Sequence, residues 1–111
     1  MGLTNTPDLL PGTLDLLILR TLSHGALHGY AVAQRLKIVS EDVLQIGESA
    51  LYPALQRLLA GGFVKAEWGA SENNRRARFY TITAAGRKRL QAERVAYERM
   101  SAAIARVLQM G

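Results

Sequence analysis

At 111 residues the chain has room for one domain with a real core, yet is small enough to lean on a partner copy. With 49% hydrophobic and 21% charged residues it is neither disordered nor fibrous in composition, and having no cysteine it can build neither a disulfide framework nor a thiolate metal site, which fits the cytoplasm. The net charge of +5 is unevenly spread, −2 over residues 1–72 and +7 over residues 73–111, an asymmetry that favours a polyanionic partner, nucleic acid before membrane.

The opening MGLTNTPDLLPG lacks the basic region and long apolar core of a signal peptide, and the run from Leu14 to Leu22 is interrupted by Asp15 and Arg20, so nothing is expected to enter a membrane. MGLTNT matches the N-myristoylation pattern at Gly2 and Thr6, but a pattern this short is often met by chance and is set aside. Thr13 is predicted to cap a first helix in which Leu14, Leu17, Ile18 and Leu22 share a face, ended by His24-Gly25. A second helix is predicted over 29–38, with Val32, Ala33 and Leu36 inward and Gln34, Arg35 and Lys37 outward. The helical pattern lapses over 39–47.

SALYPALQRL then raises the question of a proline within a helical repeat. Leu51, Leu55 and Leu58, with Leu59 beside them, mark one buried face, and the helix is predicted to start near Ser49 or Ala50 and end at Gly61-Gly62, where glycine suits a left-handed cap. Pro53 is thereby read as marking the start, where backbone N–H groups have no partner to lose. The outer face carries Ser49, Tyr52, Pro53, Gln56 and Arg57.

Beyond this point the period changes from 3.6 to 2. FVKAEW and RFYTIT read as two strands, with GASENNRRA as a polar loop giving the hairpin a basic tip. Trp68, alternating with Val64 and Ala66, is expected in the core at the hairpin base rather than as a ligand-stacking residue. Thr83 is expected to cap a last helix reaching about Gln109, roughly 39 Å long. Leu90, Tyr97, Met100, Ile104 and Val107 recur on it at near-heptad spacing, with Ala96 and Ala103 alongside and Glu93 breaking the stripe, which predicts a homodimer seam. His24 and His28 have no third ligand at metal spacing and are expected to cap or face solvent, so no metal or cofactor is assigned.

Three short helices, a two-stranded hairpin and a long helix are the chain order of a winged helix-turn-helix with a C-terminal extension, an α+β fold that is mainly α. Residues 1–83 are read as the DNA-binding domain with a short N-terminal tail, and 84–111 as the dimerisation helix. In that fold the third helix enters the major groove of double-stranded DNA. Gln56 is then placed to pair with adenine, Arg57 with phosphate or guanine, and Tyr52 with phosphate or a thymine methyl. Ser49 and Pro53 on the same helix, Gln34 and Lys37 on the second, and Asn74, Arg75, Arg76 and Arg78 on the wing complete the expected DNA-binding set.

PGTLDLLIL, HGYAVAQRL, ALYPALQRLLAGGFV, EW, NNRRARFYTIT and TAAG together resemble the PadR-like transcriptional regulators, in their short form with a single C-terminal helix, over nearly all of residues 11–90. The resemblance implies a dimeric winged-helix repressor, with Tyr52 and Pro53 at the start of the recognition helix and Arg75, Arg76 and Arg78 as a basic wing. It also implies that some members are released from DNA by phenolic or other aromatic compounds. In short members the space between the paired C-terminal helices can receive planar ligands, which makes Tyr97 and Met100 the candidates here. Glu48 departs from the pattern by placing a negative charge beside the DNA face. An enzyme is not expected, for the chain has no nucleophile–base–orienter set, no phosphate-cradling glycine loop and no HExxH. The competing reading is a winged helix used as a protein-interaction module without DNA binding.

Overall fold

The computed structural model of the chain describes residue 9 and residues 11–111; the tail before them, with the pattern from Gly2 to Thr6, lies outside the described residues. The described chain runs α1 (Pro11–Leu22), β1 (Leu27–His28), α2 (Gly29–Val39), α3 (Glu48–Ala60), β2 (Val64–Ala70), β3 (Arg76–Ile82) and α4 (Ala84–Leu108).

Pro11, whose nitrogen carries no hydrogen, stands at the first helical position, where no intrahelical bond is lost. The expected cap Thr13 therefore sits inside α1 rather than before it. Ile18, Leu19 and Leu22 are fully buried, as are Leu14 and Leu16 nearly so, because α1 is packed by α2, α3 and α4 together. A single apolar face underestimates a helix at the centre of the fold. His28 caps α2, its Nδ1 accepting the Ala31 N–H at 3.2 Å, while Val32 and Leu36 enter the core. The connection from 40 to 47 turns back through left-handed Glu41 and Asp42, with the Asp42 N–H donating to the Lys37 carbonyl at 2.8 Å.

Leu51, Ala54, Leu55 and Leu58 bury the inner face of α3, as its leucine spacing predicts. Pro53 lies one or two residues deeper in the helix than a start near Ser49 or Ala50 implies. Because α3 begins at Glu48, the proline is its sixth residue, and it leaves the Ser49 carbonyl without an i→i−4 donor near the exposed start of the helix. The end is a Schellman arrangement: Phe63 N–H to Leu58 O at 2.9 Å and Gly62 N–H to Leu59 O at 3.1 Å, closed by Gly62 at φ 78°.

The sheet is antiparallel in the order β1-β3-β2, so it has three strands where two are expected. β1 is only Leu27–His28, paired with Tyr80 and Phe79, too short to show a period. The β2–β3 hairpin is also longer than its sequence suggests: Gly69 pairs with Ala77 and Ala70 with Arg76, leaving residues 71–75 as the turn. Val64, Tyr80 and Ile82 are buried at its base. Trp68 lies on the same face but is 61% exposed, because the hairpin outruns the core before reaching it.

Thr83 caps α4 as expected, its Oγ1 accepting the Gly86 N–H at 3.0 Å and donating to the Gly62 carbonyl at 2.7 Å. α4 seats so closely on the α3–β2 turn that a Cβ built on Gly86 would collide with the Phe63 carbonyl oxygen. Arg89 covers the Phe63 ring at 4.7 Å and Leu90 packs against the core; from Glu93 onward the helix leaves the domain. Leu90 thus belongs to the anchored part of α4, not to the exposed stripe that continues with Tyr97, Met100, Ile104 and Val107.

Candidate nucleic-acid interface

The outward side of α3 presents Ser49, Tyr52, Pro53 and Gln56 to solvent, and the polar ends of Ser49 and Gln56 have no partner among the described residues. Tyr52 is half-covered. Its ring lies against the first residue of α2, where a Cβ on Gly29 would come within 2.8 Å of Tyr52 Cε1, so glycine there admits the tyrosine. Burial first, then the electrostatic influence of Glu48 and Tyr80, pushes the phenol pKa up. Glu48 itself opens α3, where a carboxylate is favoured by the helix dipole.

Arg57 is the exception on this helix. Its Nη2 is 3.1 Å from Oδ1 of Asp15, a carboxylate only 5% exposed, and the other oxygen of Asp15 takes Arg89 Nη2 at 3.3 Å. Arg89 also donates to Glu93 at 2.6 Å; burial disfavours its charge, but Glu93 and Asp15 more than offset this and its pKa is raised. A buried carboxylate needs such partners. Arg57 therefore ties α3 to α1 and shares this anchor with α4, while its side chain stays 52% exposed on the expected DNA face.

The wing faces α3 across a cleft of about 520 Å3. One wall holds His28, Gly29, Tyr30 and Tyr52; the other holds Trp68, Arg75, Arg76 and Arg78. The fold thus brings together Tyr52 and the three wing arginines of the expected set, although more than twenty residues separate them from it in sequence. Asn74 takes the left-handed position of the turn at φ 57°, and its N–H closes the turn on Ser71 O at 2.8 Å. The wing is braced at its tip: Glu72 Oε2 sits 3.4 Å from His28 Nε2, and the Glu72 carboxyl is held below its usual range by its own backbone N–H first and His28 second. Since Nδ1 of His28 accepts from Ala31, the proton of a neutral ring is on Nε2, facing Glu72.

Of the two α2 residues in the expected DNA-binding set, Gln34 donates to the Tyr30 hydroxyl at 3.1 Å and Lys37 is exposed in the last turn. Trp68, Tyr30 and His28 are members of the cleft that the sequence reading left out. The alternation Val64, Ala66, Trp68 gives the correct face for Trp68, and only the depth of the core decides that this face is open there.

A second concavity, of about 630 Å3, runs between α1 and α4, lined by Leu16, Ala96, Tyr97, Met100 and Ile104 with Glu93 at its edge. Oε1 of Glu93 is buried without a hydrogen-bond partner among the described residues. Among the described residues no helix is long and apolar enough to cross a membrane, and no group of three His, Cys, Asp or Glu could hold a metal ion.

Comparison with known proteins identifies this architecture. A protein of Lysinibacillus sphaericus described as uncharacterized is 30% identical over 80 residues, 72% of this chain and 73% of its own. A transcriptional regulator from Clostridium thermocellum superposes with a TM-score of 0.78 at 29% identity, over 86% of this chain and 92% of that one. A PadR-like transcriptional regulator from Bacillus cereus shares the fold at a TM-score of 0.77 and 23% identity, over 90% of this chain and 95% of that one. The model of the PadR-like transcriptional regulator family matches residues 18–92, from the buried middle of α1 through the wing to the anchored turns of α4, and the chain belongs to that family.

Proposed function

We propose that this transcriptional regulator is a sequence-specific DNA-binding repressor acting as a homodimer on a palindromic operator. The observation that carries the reading is the cleft in which Tyr52, beside the free Gln56 of α3, faces Arg75, Arg76 and Arg78 of the wing. A recognition helix with an unspent amide next to three arginines supplies both halves of DNA recognition, base-edge contact and phosphate contact. Gln56 reads an adenine, and Tyr52 and Ser49 position the helix on the backbone. Arg75, Arg76 and Arg78 neutralise phosphates and Asn74 donates a hydrogen bond beside them, with Lys37 and Gln34 adding contacts from α2. Arg57, paired with Asp15 yet half-exposed, keeps a phosphate or guanine within reach.

The distal half of α4 supports the dimer. Tyr97, Met100, Ile104 and Val107 are exposed on the distal part of α4, which shares a concavity with α1, and a second α4 would cover them. Two recognition helices so joined would read successive major grooves 34–36 Å apart. A small aromatic effector bound against Tyr97 and Met100 would release the DNA by altering how the two α4 helices meet.

Selection of bound duplexes from a random pool, with the solution mass recorded, tests this function. A dimer of twice 12.1 kDa that enriches a palindrome is the expected result. No enrichment at low salt would instead favour a winged helix that docks on protein.

A further inference from the structure

The β2–β3 hairpin shows one face to the core at its base and the same face to the cleft at its tip. Pairs Val64–Ile82 and Ala66–Tyr80 lie on that face first, then Trp68–Arg78 and Ala70–Arg76 beyond the point where the core ends. Trp68 is the chain's only tryptophan and is 61% exposed. The Arg76 guanidinium is stacked over its ring, 4.5 Å from the centroid, and the indole N–H has no acceptor among the described residues.

An arginine laid over an exposed ring is sometimes only a cover for apolar surface. Here the pair stands on the cleft wall with Arg75 and Arg78, opposite Tyr52, and holds a donor that nothing among the described residues uses. We propose that Trp68 and Arg76 form one composite site for a backbone phosphate of DNA, in which the ring holds the guanidinium in place and the indole N–H supplies a second donor. The site rests on the DNA-binding reading and makes Trp68 a binding residue of the wing. Stacking removes the conformational freedom that a solvated arginine would otherwise lose on binding, so the cation is arranged before DNA arrives.

The experiment titrates the full chain with a labelled duplex at low salt and follows DNA anisotropy together with Trp68 emission. In the complex, acrylamide should reach Trp68 several-fold less efficiently than in the free protein. Trp68→Ala should weaken binding by roughly tenfold, Arg76→Ala by a similar factor, and the double variant by little more than either alone, since each removes the same unit. Trp68→Phe, which keeps a stacking surface but not the N–H, should recover part of the loss. Binding within twofold of the parent by Trp68→Ala, with Trp68 as accessible in the complex as in the free chain, overturns the composite site while leaving DNA binding intact. Failure of the parent chain itself to bind any duplex at low salt removes the DNA reading and this site with it. The quenching arm needs no variant, so a misfolded substitution cannot decide the matter.

Discussion

The wing and α4 both start in the core and both run out of it, yet the chemistry they carry outward is opposite. The hairpin passes from Val64 and Ile82, buried, to Trp68, Arg75 and Arg76, exposed; α4 passes from buried Gly86 and Leu90, packed on the core, to exposed Met100, Ile104 and Val107. The projecting wing is cationic and polar, which water solvates well and a polyanion satisfies better. The projecting helix is apolar on one side, which water solvates poorly and a second copy would cover. One fold thus grows two overhangs, and the residue types on each name a different class of partner.

The comparison breaks most visibly on α4. Met100→Asp with Ile104→Asp should abolish dimerisation, because each apolar side chain covered at an interface contributes about 1.5–3 kcal/mol and each acid would have to be desolvated; sedimentation should find the single-chain mass with the fold retained. The anchored half answers differently. Gly86→Ala drives a Cβ against the Phe63 carbonyl and should lower stability by about 1–3 kcal/mol in urea unfolding, whereas an alanine exchange at exposed Arg99 should change it by less than about 0.5 kcal/mol.

On the wing, Arg75→Ala with Arg76→Ala should weaken binding to every sequence alike and lower the salt slope by up to about two units, read from titrations at several salt concentrations. Gln56→Ala should act at one base position of each half-site, at about 1–3 kcal/mol, visible as relaxed preference there in a repeated selection. The smallest effect belongs to Glu72. Its depressed carboxyl pKa adds stability that is present above about pH 4.5 and is lost as pH falls through its folded value, so Glu72→Gln should remove a slight acid dependence of the melting temperature.

Much of this was legible before any coordinates. Leucine spacing located α2 and α3, Thr83 and Gly61-Gly62 located the ends of α4 and α3, and the cluster of three arginines near the hairpin tip located the wing. What was not legible has a common cause in three dimensions. Two residues of β1 pair only because β3 passes beside them. Trp68 looks like core because alternation reports a face and not how far the core extends beneath it. Arg57 looks free because Asp15, its anchor, lies 42 residues earlier. Pro53 lies one or two residues deeper than the sequence suggests because Gly47 caps α3 without a side chain, leaving no cap residue to mark the boundary.

The central claim is that the α3–wing face binds the DNA backbone through its arginines in a dimer. The most direct measurement is the affinity of the parent chain for its selected duplex across 50–200 mM salt. Arg75, Arg76 and Arg78 of two protomers, each neutralising a phosphate, predict a log–log slope of about −5. A slope near zero would contradict the account.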